Sequence, residues 1–466
     1  MTDSISCRSA PVDRRCILVI ATLASFLTPF MSSSVNIALP LIGEEFGANA
    51  VLLGWIPTSF ILASAIFMIP MGRLADIHGM RRIFFPGFVI FTIATLLCAL
   101  SDSTAMLIAF RLVQGFGSAM IFSTAVAALT AVYPPGERGR VLGINVASVY
   151  IGLATGPFLG GVLTHAFGWR SIFLAVLPIS AVVIFLLLRN REEWTERNPD
   201  HFDLYGSVLY GLMLLSLMYG LSVLPETAGW GYIFFGLLML ALFIRREMRV
   251  ESPVLQVRLF LENHVFAFSN LAALINYSAT FAVTFLLSLY LQYNRGLDPQ
   301  AAGLVLVAQP LVQAVLSPAA GRISDRIEPG IVASAGMGVT VIGLAMLALL
   351  TAETPPVFIV GALALLGLGF ALFSSPNTNA IMSSVERRYL GVASATLGTS
   401  RQVGMMLSMG IAMMIFSVII GRVQITPEYH AALLSSVQIA FALFAALCVA
   451  GIYFSLARGR VRREAA

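Results

Sequence analysis

Fourteen long apolar runs follow one another along this 466-residue chain and constrain its fold more than any other feature. A helix rises about 1.5 Å per residue, so about 20 apolar residues span the roughly 30 Å hydrocarbon core of a lipid bilayer. A soluble globule is excluded because 58% of the residues are apolar and only 11% are charged. We therefore predict an all-α membrane protein. Its predicted spans are 17–43, 51–72, 83–101, 104–133, 140–164, 169–189, 204–224, 230–246, 264–293, 299–320, 330–350, 355–383, 390–421 and 432–457.

The placement of the arginines supports an even number of spans. All 28 basic residues are arginines, and positive charge is retained in short cytoplasmic loops. With the N-terminus inside, 23 arginines fall in cytoplasmic segments, whereas only Arg170, Arg295 and Arg422 fall outside. One span more or fewer would invert every later loop. We predict a multi-pass protein of the plasma (inner) membrane with both termini cytoplasmic. Because the arginines are dispersed and form no stripe, nucleic acid is not a predicted partner.

Two pairs of short matches predict an internal duplication. The segments GRLADIHGMRR (72–82) and GRISDRIEP (321–329) lie 249 residues apart, and RVLG (140–143) and RYLG (388–391) lie 248 apart. Two matches at nearly one offset indicate two six-helix bundles inserted in the same orientation. The predicted domains are residues 1–198 and 263–466. Residues 199–262 carry two extra central helices.

Four motifs in order carry a resemblance to a known family. They are GRLADIHGMRR (72–82), Arg111-Leu-Val-Gln114-Gly115, the stretch Gly152 to Gly161, and the stretch 289–304 followed by GRISDR. Each resembles a signature of the major facilitator superfamily, in its fourteen-helix drug/proton antiporter branch. The resemblance spans nearly the whole chain and implies the major-facilitator fold. It also implies alternating access about a central cavity, with efflux of hydrophobic, drug-like compounds driven by a proton gradient.

Polar residues at membrane depth are the candidates for a substrate cavity. An arginine inside a membrane costs several kcal/mol unless it meets partners or water, so we predict that Arg111 and Arg401 face the cavity. The alternative is pairing with helix carbonyls. Gln114 lies one turn from Arg111 on the same helix face. The other predicted lining residues, each of which can instead form an interhelical hydrogen bond, are Asn36, Asn276, Gln309 and Gln313.

The repeated loop motif holds candidates for conformational gating. Gly72 permits close helix approach, and a carboxylate such as Asp76 can pair with arginine in one conformation and release it in another. The alternative for the arginines is that they only fix topology. The predicted gating residues of this motif in the two copies are Gly72, Asp76, Arg81, Arg82, Arg322 and Asp325.

The fifth span holds a second set of gating candidates. Gly152, Gly156 and Gly160 recur at every fourth position, which is a face on which two helices can nearly touch. Pro157 removes a backbone donor and predicts a bend. Ordinary tight packing is the alternative. The resemblance implies an element that disfavours leak in an exporter.

The sequence departs from the family pattern where protons would bind. Many members of the fourteen-helix branch carry an acid in helix 1 shortly before an Asn-x-Ala-Leu-Pro stretch, but here Met31 precedes Asn36-Ile-Ala-Leu-Pro40. All 23 acids lie in loops or at helix ends, so the sequence predicts no carboxylate at membrane depth and no buried negative charge that would meet a ligand. The route of a coupled proton stays open, with Asp76 or water near Arg111 as options. Export of polyvalent cations is disfavoured.

The remaining partners follow from what the motifs allow. Scattered cysteines and histidines predict no metal site or disulfide, and the sequence has no GxxxxGK[ST] run to bind ATP phosphates. We predict no cofactor, a small-molecule substrate, a possible coupled proton and a monomer. One alternative function is transport of a specific organic anion or metabolite, which Arg111 and Arg401 would suit. A remote alternative is an intramembrane enzyme or sensor, which would need a metal or nucleophile constellation.

Overall fold

The computed structural model describes residues 13–194, 201–250, 253–386 and 390–459. Within these residues, fourteen helical segments are long and apolar enough to cross a membrane, which confirms the predicted number of spans. The helices are α1 (Arg14–Phe46), α2 (Ala50–His78), α3 (Met80–Ala99), α4 (Thr104–Val132), α5 (Pro135–Phe167), α6 (Arg170–Arg189), α7 (Leu204–Val223), α8 (Thr227–Glu247), α9 (Val257–Glu262), α10 (His264–Thr280), α11 (Val283–Leu289), α12 (Pro299–Leu306), α13 (Ala308–Arg326), α14 (Pro329–Ala348), α15 (Pro356–Ser383), α16 (Leu390–Ile419) and α17 (His430–Ala457).

Two spans that the sequence predicts as continuous runs are divided. The ninth consists of α10 and α11 followed by a π-helical turn at Tyr290–Asn294, and the tenth consists of α12 and α13. Pro310 lies in the first turn of α13. Because proline lacks an N–H group and crowds the preceding turn, the helix breaks just before it.

Side chains cap several helix starts next to the membrane. The Asp13 carboxylate accepts hydrogen bonds from the N–H groups of Arg15 and Cys16, and Asn49 accepts one from Leu52. Asp298 does the same for Ala301 at the start of α12. These caps satisfy donors that the first turn of a helix leaves unpaired, and they fix the residues at which the three helices begin.

The two six-helix bundles pack in the same way, which confirms the predicted fold class. In the first bundle α1 packs on α5, and α4 lies between α2 and α3; in the second, α10 packs on α16, and α15 lies between α13 and α14. A Cβ atom at Gly72 would lie 3.5 Å from Ser123, and one at Gly321 would lie 3.1 Å from Ser375. The repeated loop motif therefore occupies equivalent helix crossings in both bundles. The exact domain boundaries stay a prediction, since 195–200 lie outside the described residues.

The two inserted helices are central in the sequence but peripheral in space. Helix α7 packs on α2 of the first bundle and on α16 of the second. The Tyr210 hydroxyl donates a hydrogen bond to the Ala65 carbonyl over 3.2 Å, and a Cβ at Gly410 would lie 2.8 Å from Leu221. The α7–α8 hairpin thus covers the seam where the bundles meet along α2 and α16.

The two ends of the spans form faces that differ in charge. We call the face where α1 begins and α17 ends the arginine-rich face, and the face where α1 ends and α17 begins the arginine-poor face. Every described hydrogen bond between the two bundles lies in the half of the protein next to the arginine-poor face. These bonds join Asn36 with Ser288, Ile37 with Gln292, Pro40 with Tyr293, Gly43 with Gln424, Ala50 with Val423 and Thr58 with Met413.

Candidate functional site

Arg111 is fully buried inside the first bundle, between α2, α3 and α4. Its Nη1 donates to Gln114 Oε1 over 2.6 Å, its Nε donates to the Ile56 carbonyl over 3.3 Å, and its guanidinium lies 4.4 Å from the centre of the Phe60 ring. Gln114 in turn donates to Thr95 over 2.7 Å. Both residues that the sequence predicts as cavity lining therefore lie within one bundle in this conformation. Their cavity role stays a prediction.

The surroundings of Arg111 leave part of its charge unmatched. None of its described contacts is a carboxylate, and its Nη2 has no hydrogen-bond partner. An unpaired buried donor costs about 1–3 kcal/mol, more for a charged group. Such a group is retained at a cost in stability, as is typical of residues that act in another conformation.

Arg401 lies on α16 of the second bundle and is only half-buried. Its Nη2 donates to the Thr378 hydroxyl over 2.8 Å, and its guanidinium lies 5.7 Å from the Tyr277 ring centre. Tyr277 packs edge-on against Phe370 at 5.1 Å, and Tyr150 of α5 is near enough to interact with it electrostatically from the first bundle. The Arg401 Nε has no partner. Aromatic rings and one incompletely bonded cation thus meet at this position.

Three other predicted lining residues have polar atoms without partners. Asn36 and Asn276 are buried; the Asn36 side-chain oxygen and both amide atoms of Asn276 have no hydrogen bond, and neither has the Gln309 oxygen. Gln313 is also buried. Most buried polar groups in proteins are bonded, so atoms of this kind mark places where water, a ligand or a second conformation supplies the partner.

The glycine face of α5 packs directly on α1. Added Cβ atoms would lie 2.5 Å from the Phe26 carbonyl oxygen at Gly152, against the Ser33 hydroxyl at Gly156 and 3.0 Å from Ser34 at Gly160. The Ser34 hydroxyl donates to the Gly156 carbonyl over 3.1 Å. The predicted close approach is therefore present, although its role in transport stays a prediction.

A contact that the sequence does not single out lies on another face of α5. Gly303 of α12 packs on the Pro157 carbonyl, and a Cβ at Gly161 would lie 2.5 Å from the Pro299 carbonyl oxygen. Both glycines belong to quoted motifs, but only the fold shows that they meet. This contact joins the two bundles near the arginine-poor face.

The loop motif after α2 anchors a neighbouring helix. Arg81 donates from Nη2 to the Leu187 carbonyl over 2.7 Å and from Nε to the Asn190 carbonyl over 2.8 Å, and its backbone N–H donates to Glu193 over 2.7 Å. It thereby caps the C-terminal end of α6. The other charged gating candidates of the two motifs are exposed at the arginine-rich face, namely Asp76, Arg82, Arg322 and Asp325. Their gating role stays a prediction.

Arg458 is a buried arginine. The sequence predicts for it only a role in fixing the orientation of the spans. It is 1% exposed and donates to Ser269 over 3.2 Å, to Asn377 over 2.9 Å and to the Ser455 carbonyl over 2.7 Å. Burial lowers the pKa of Arg458 to about 10, although Glu328 favours its charged form. This network ties α10, α15 and α17 together at the arginine-rich face. Its only sequence signal is the serine and asparagine content of those helices.

Met31, in place of the family's helix-1 acid, is fully buried in α1. In the part of the chain that the structure covers, no three histidine, cysteine, aspartate or glutamate side chains are grouped to hold a metal ion. The candidate site is therefore a surface between two bundles with aromatic, amide and arginine side chains. It offers binding groups rather than a set of catalytic ones.

Comparison with known proteins places this geometry in context. A family profile described as Major Facilitator Superfamily matches residues 21–255 and 270–466. The chain is 35% identical over 404 residues to the cephamycin export protein CmcT of Amycolatopsis lactamdurans, which covers 83% of this chain and 82% of the relative. It is 30% identical over 390 residues to the riboflavin transporter RibZ of Clostridioides difficile (strain 630), covering 83% of this chain and 84% of the relative.

A solved structure shares the fold. The crystal structure of a bacterial homolog to the human lysosomal transporter Spinster, in an inward-facing and unoccupied conformation, aligns with a TM-score of 0.70 at 17% identity. The alignment covers 97% of each chain. At this sequence identity the match supports a shared fold and nothing about function.

Proposed function

Since the chain belongs to the Major Facilitator Superfamily, we propose that this multi-pass membrane transporter exports hydrophobic, drug-like compounds by alternating access. The observation that carries the mechanism is the distribution of hydrogen bonds between the bundles. All described interbundle hydrogen bonds lie near the arginine-poor face. Bundles that are joined at one face can rock about the central surface and join at the other.

The charge pattern indicates to which side of the membrane this conformation is open. If the arginine-rich face is cytoplasmic, as the sequence predicts, the observed state is closed to the outside and receives substrate from the cytoplasm or inner leaflet. The closed seam includes Gly161 and Gly303, where backbones touch. We propose both termini cytoplasmic, a plasma-membrane location and a monomeric unit, with domains at 1–198, 199–262 and 263–466.

The proposed substrate class follows from the chemistry between the bundles. Aromatic rings at Tyr277, Phe370 and Tyr150 offer apolar surface, and the unpaired amides of Asn276 and Gln309 offer a few hydrogen-bonding groups. Such surfaces bind compounds with large apolar bodies and few polar groups. The similarity to a protein named for cephamycin export supports the direction of transport.

A second candidate function is transport of one organic anion or metabolite. The half-buried Arg401, with its unpartnered Nε, favours it because a guanidinium binds carboxylates or phosphates well. The similarity to a riboflavin transporter points to a defined metabolite as well. We place this function second because Arg401 stands among aromatic rings.

Proteoliposomes separate the two functions. Purified protein is given cationic or neutral dyes, or organic anions, under an imposed pH gradient. We expect the dyes to move in a gradient-dependent manner, because we propose that export is coupled to protons. Dye movement that persists after a protonophore collapses the gradient would contradict coupling. Movement of anions alone would replace the first function with the second.

A further inference from the structure

The bases of the two inserted helices hold two buried carboxylates. Asp203, directly before α7, is 7% exposed, and Glu247, the last residue of α8, is 3% exposed. Both lie at helix ends, where the sequence places every acid, and the sequence does not indicate that they are buried there. Burial follows from the fold-back of the segment after α8, whose Leu255 N–H donates to Glu247 over 2.6 Å.

Asp203 has a complete set of partners. Arg246 donates from Nε to both carboxylate oxygens at 3.0 Å and from Nη2 to Oδ1 at 2.7 Å. The Gly206 N–H adds a further bond of 2.9 Å. This two-pronged arrangement is the strongest that an arginine forms with a carboxylate. The positive charge of Arg246 is therefore paired with Asp203.

Among the described residues, Glu247 is paired with no cation of its own. Its Oε2 accepts the Leu255 N–H, whereas its Oε1 has no hydrogen-bond partner. The charged groups that face it are Asp203 from α7 and Arg246 from its own helix, and the segment 253–256 presents backbone N–H groups. Glu251, on the same connection, lies outside the described residues. The Tyr205 ring lies over Arg246, 5.2 Å away.

The unpartnered oxygen lies near the other carboxylate. A Cβ atom added at Gly206 would lie 2.6 Å from Asp203 Oδ2 and 2.8 Å from Glu247 Oε1. The two oxygens therefore flank one point, and the absence of a side chain at Gly206 makes room for them. Two close buried carboxylates do not both stay ionised when only one cation serves them.

We propose that Glu247 is a proton-binding site: its carboxyl group holds a proton between Asp203 and the segment 253–256. Protonation removes the unmatched charge and turns Oε1 into a donor on the side of Asp203. The site lies at the base of the inserted helices, away from the central surface between the bundles. It does not rest on the proposed export function.

Proton binding at this position controls an adjacent crevice. Leu255, which Glu247 holds, lines an apolar crevice of about 410 Å³ together with Tyr210, Phe243, Phe260 and Leu271. When the proton leaves, repulsion from Asp203 and the cost of burying a second charge favour movement of Glu247 into water. Leu255 moves with it, and the crevice opens at the arginine-rich face.

Cysteine labelling of the full-length protein tests this. In a cysteine-free background, Leu255→Cys is labelled with a water-soluble maleimide between about pH 5 and pH 8. The labelling rate of Leu255→Cys is divided by the labelling rate of Glu262→Cys, an exposed position on α9. This ratio corrects for the pH dependence of the reaction between thiol and maleimide. If opening of the crevice releases one proton, the population of the open state rises by up to about tenfold per pH unit. We expect the ratio to rise with pH and, in Glu247→Gln, to stay low and flat.

Infrared spectroscopy gives a readout that does not depend on the cysteine. The pH difference spectrum of the wild type, minus that of Glu247→Gln, should retain the C=O band of one protonated carboxylic acid, because the other carboxyl groups cancel. The absence of that band, or a labelling ratio that rises equally in Glu247→Gln, overturns the proposal. Neither measurement requires transport, so a failure of dye export leaves this outcome unaffected.

Discussion

The carbonyl group of Pro157 lies against Gly303, where α5 of the first bundle crosses α12 of the second. Nothing larger than hydrogen fits at Gly303, because the neighbour is backbone and cannot rotate away. On the other side of the crossing, Gly161 lies against the Pro299 carbonyl. The closed arginine-poor face therefore depends on two glycines, one from each bundle.

Gly303→Ala should weaken this closed face. A methyl group at this position forces the helices apart, and overpacking of this kind costs about 1–3 kcal/mol. We expect the population to shift toward a state that is open at the arginine-poor face and transport to slow. Spin labels at Phe167 and Leu349, both exposed at that face on different bundles, should report longer distances.

Gly338→Ala is the matched control. Gly338 is also a helical glycine, but a Cβ there would meet nothing within 4 Å. Its spin-label distances should equal those of the wild type. If Gly303→Ala leaves the distances and the transport rate equally unchanged, the α5–α12 crossing does not hold the closed state.

Arg111→Met should separate the stability of the first bundle from its function. An apolar residue of similar length removes the cost of burying this charge without a carboxylate, which offsets the roughly 1–3 kcal/mol lost where Gln114 is left unpaired. The described contacts of Arg111 include no carboxylate, so we expect an unchanged or higher melting temperature. Transport should nevertheless fall by about tenfold or more, about 1.4 kcal/mol in the rate-limiting step.

The control for this prediction is Arg249→Met, an exposed arginine after α8. It should change neither the melting temperature nor the transport rate. Wild-type transport by Arg111→Met would leave Arg111 with a structural role only, which is the alternative that pairing with the Ile56 carbonyl already suggests.

The spans and the duplication are predictable from sequence for a physical reason. Lipid cannot bond with backbone groups, so apolar runs of sufficient length must become helices. The loop motif at Gly72 and Gly321 then reveals the repeat, because equivalent helix crossings need the same small residue. Neither inference requires knowledge of which helices touch.

Side-chain placement is less predictable because it depends on partners distant in sequence. Arg458 is bonded to Ser269, 189 residues away, and Glu247 is buried by the fold-back that brings Leu255 to it. Arg111 shows the converse. Its depth follows from the sequence, but the direction of its side chain on α4 depends on Phe60 and Gln114.

Arg401→Ala should distinguish the two candidate functions. If the transporter handles hydrophobic dyes, the loss of one cation beside Tyr277 should change dye export by no more than about threefold, under 1 kcal/mol. If it handles a specific anion, the loss of a charge-assisted bond of about 1.5–3 kcal/mol should weaken anion transport about 10–150-fold. Arg401→Lys should restore part of the anion transport and serves as the control for folding.

Asp203→Asn should alter the pH dependence of stability. Burial of Asp203 raises its pKa, but the hydrogen bonds from Arg246 and Gly206 outweigh this and hold the pKa below its usual value. A lowered folded-state pKa stabilises the protein above the unfolded pKa of about 3.9, and this stabilisation is lost as the pH falls through the folded value. Melting temperatures in detergent should therefore show Asp203→Asn less stable than wild type near neutral pH. The difference should shrink below about pH 4.

Asp102→Asn, at an exposed aspartate on the arginine-poor face, is the control and should show no such convergence. If the melting temperatures of wild type and Asp203→Asn differ by the same amount at every pH, the hydrogen bonds from Arg246 do not control the ionisation of Asp203.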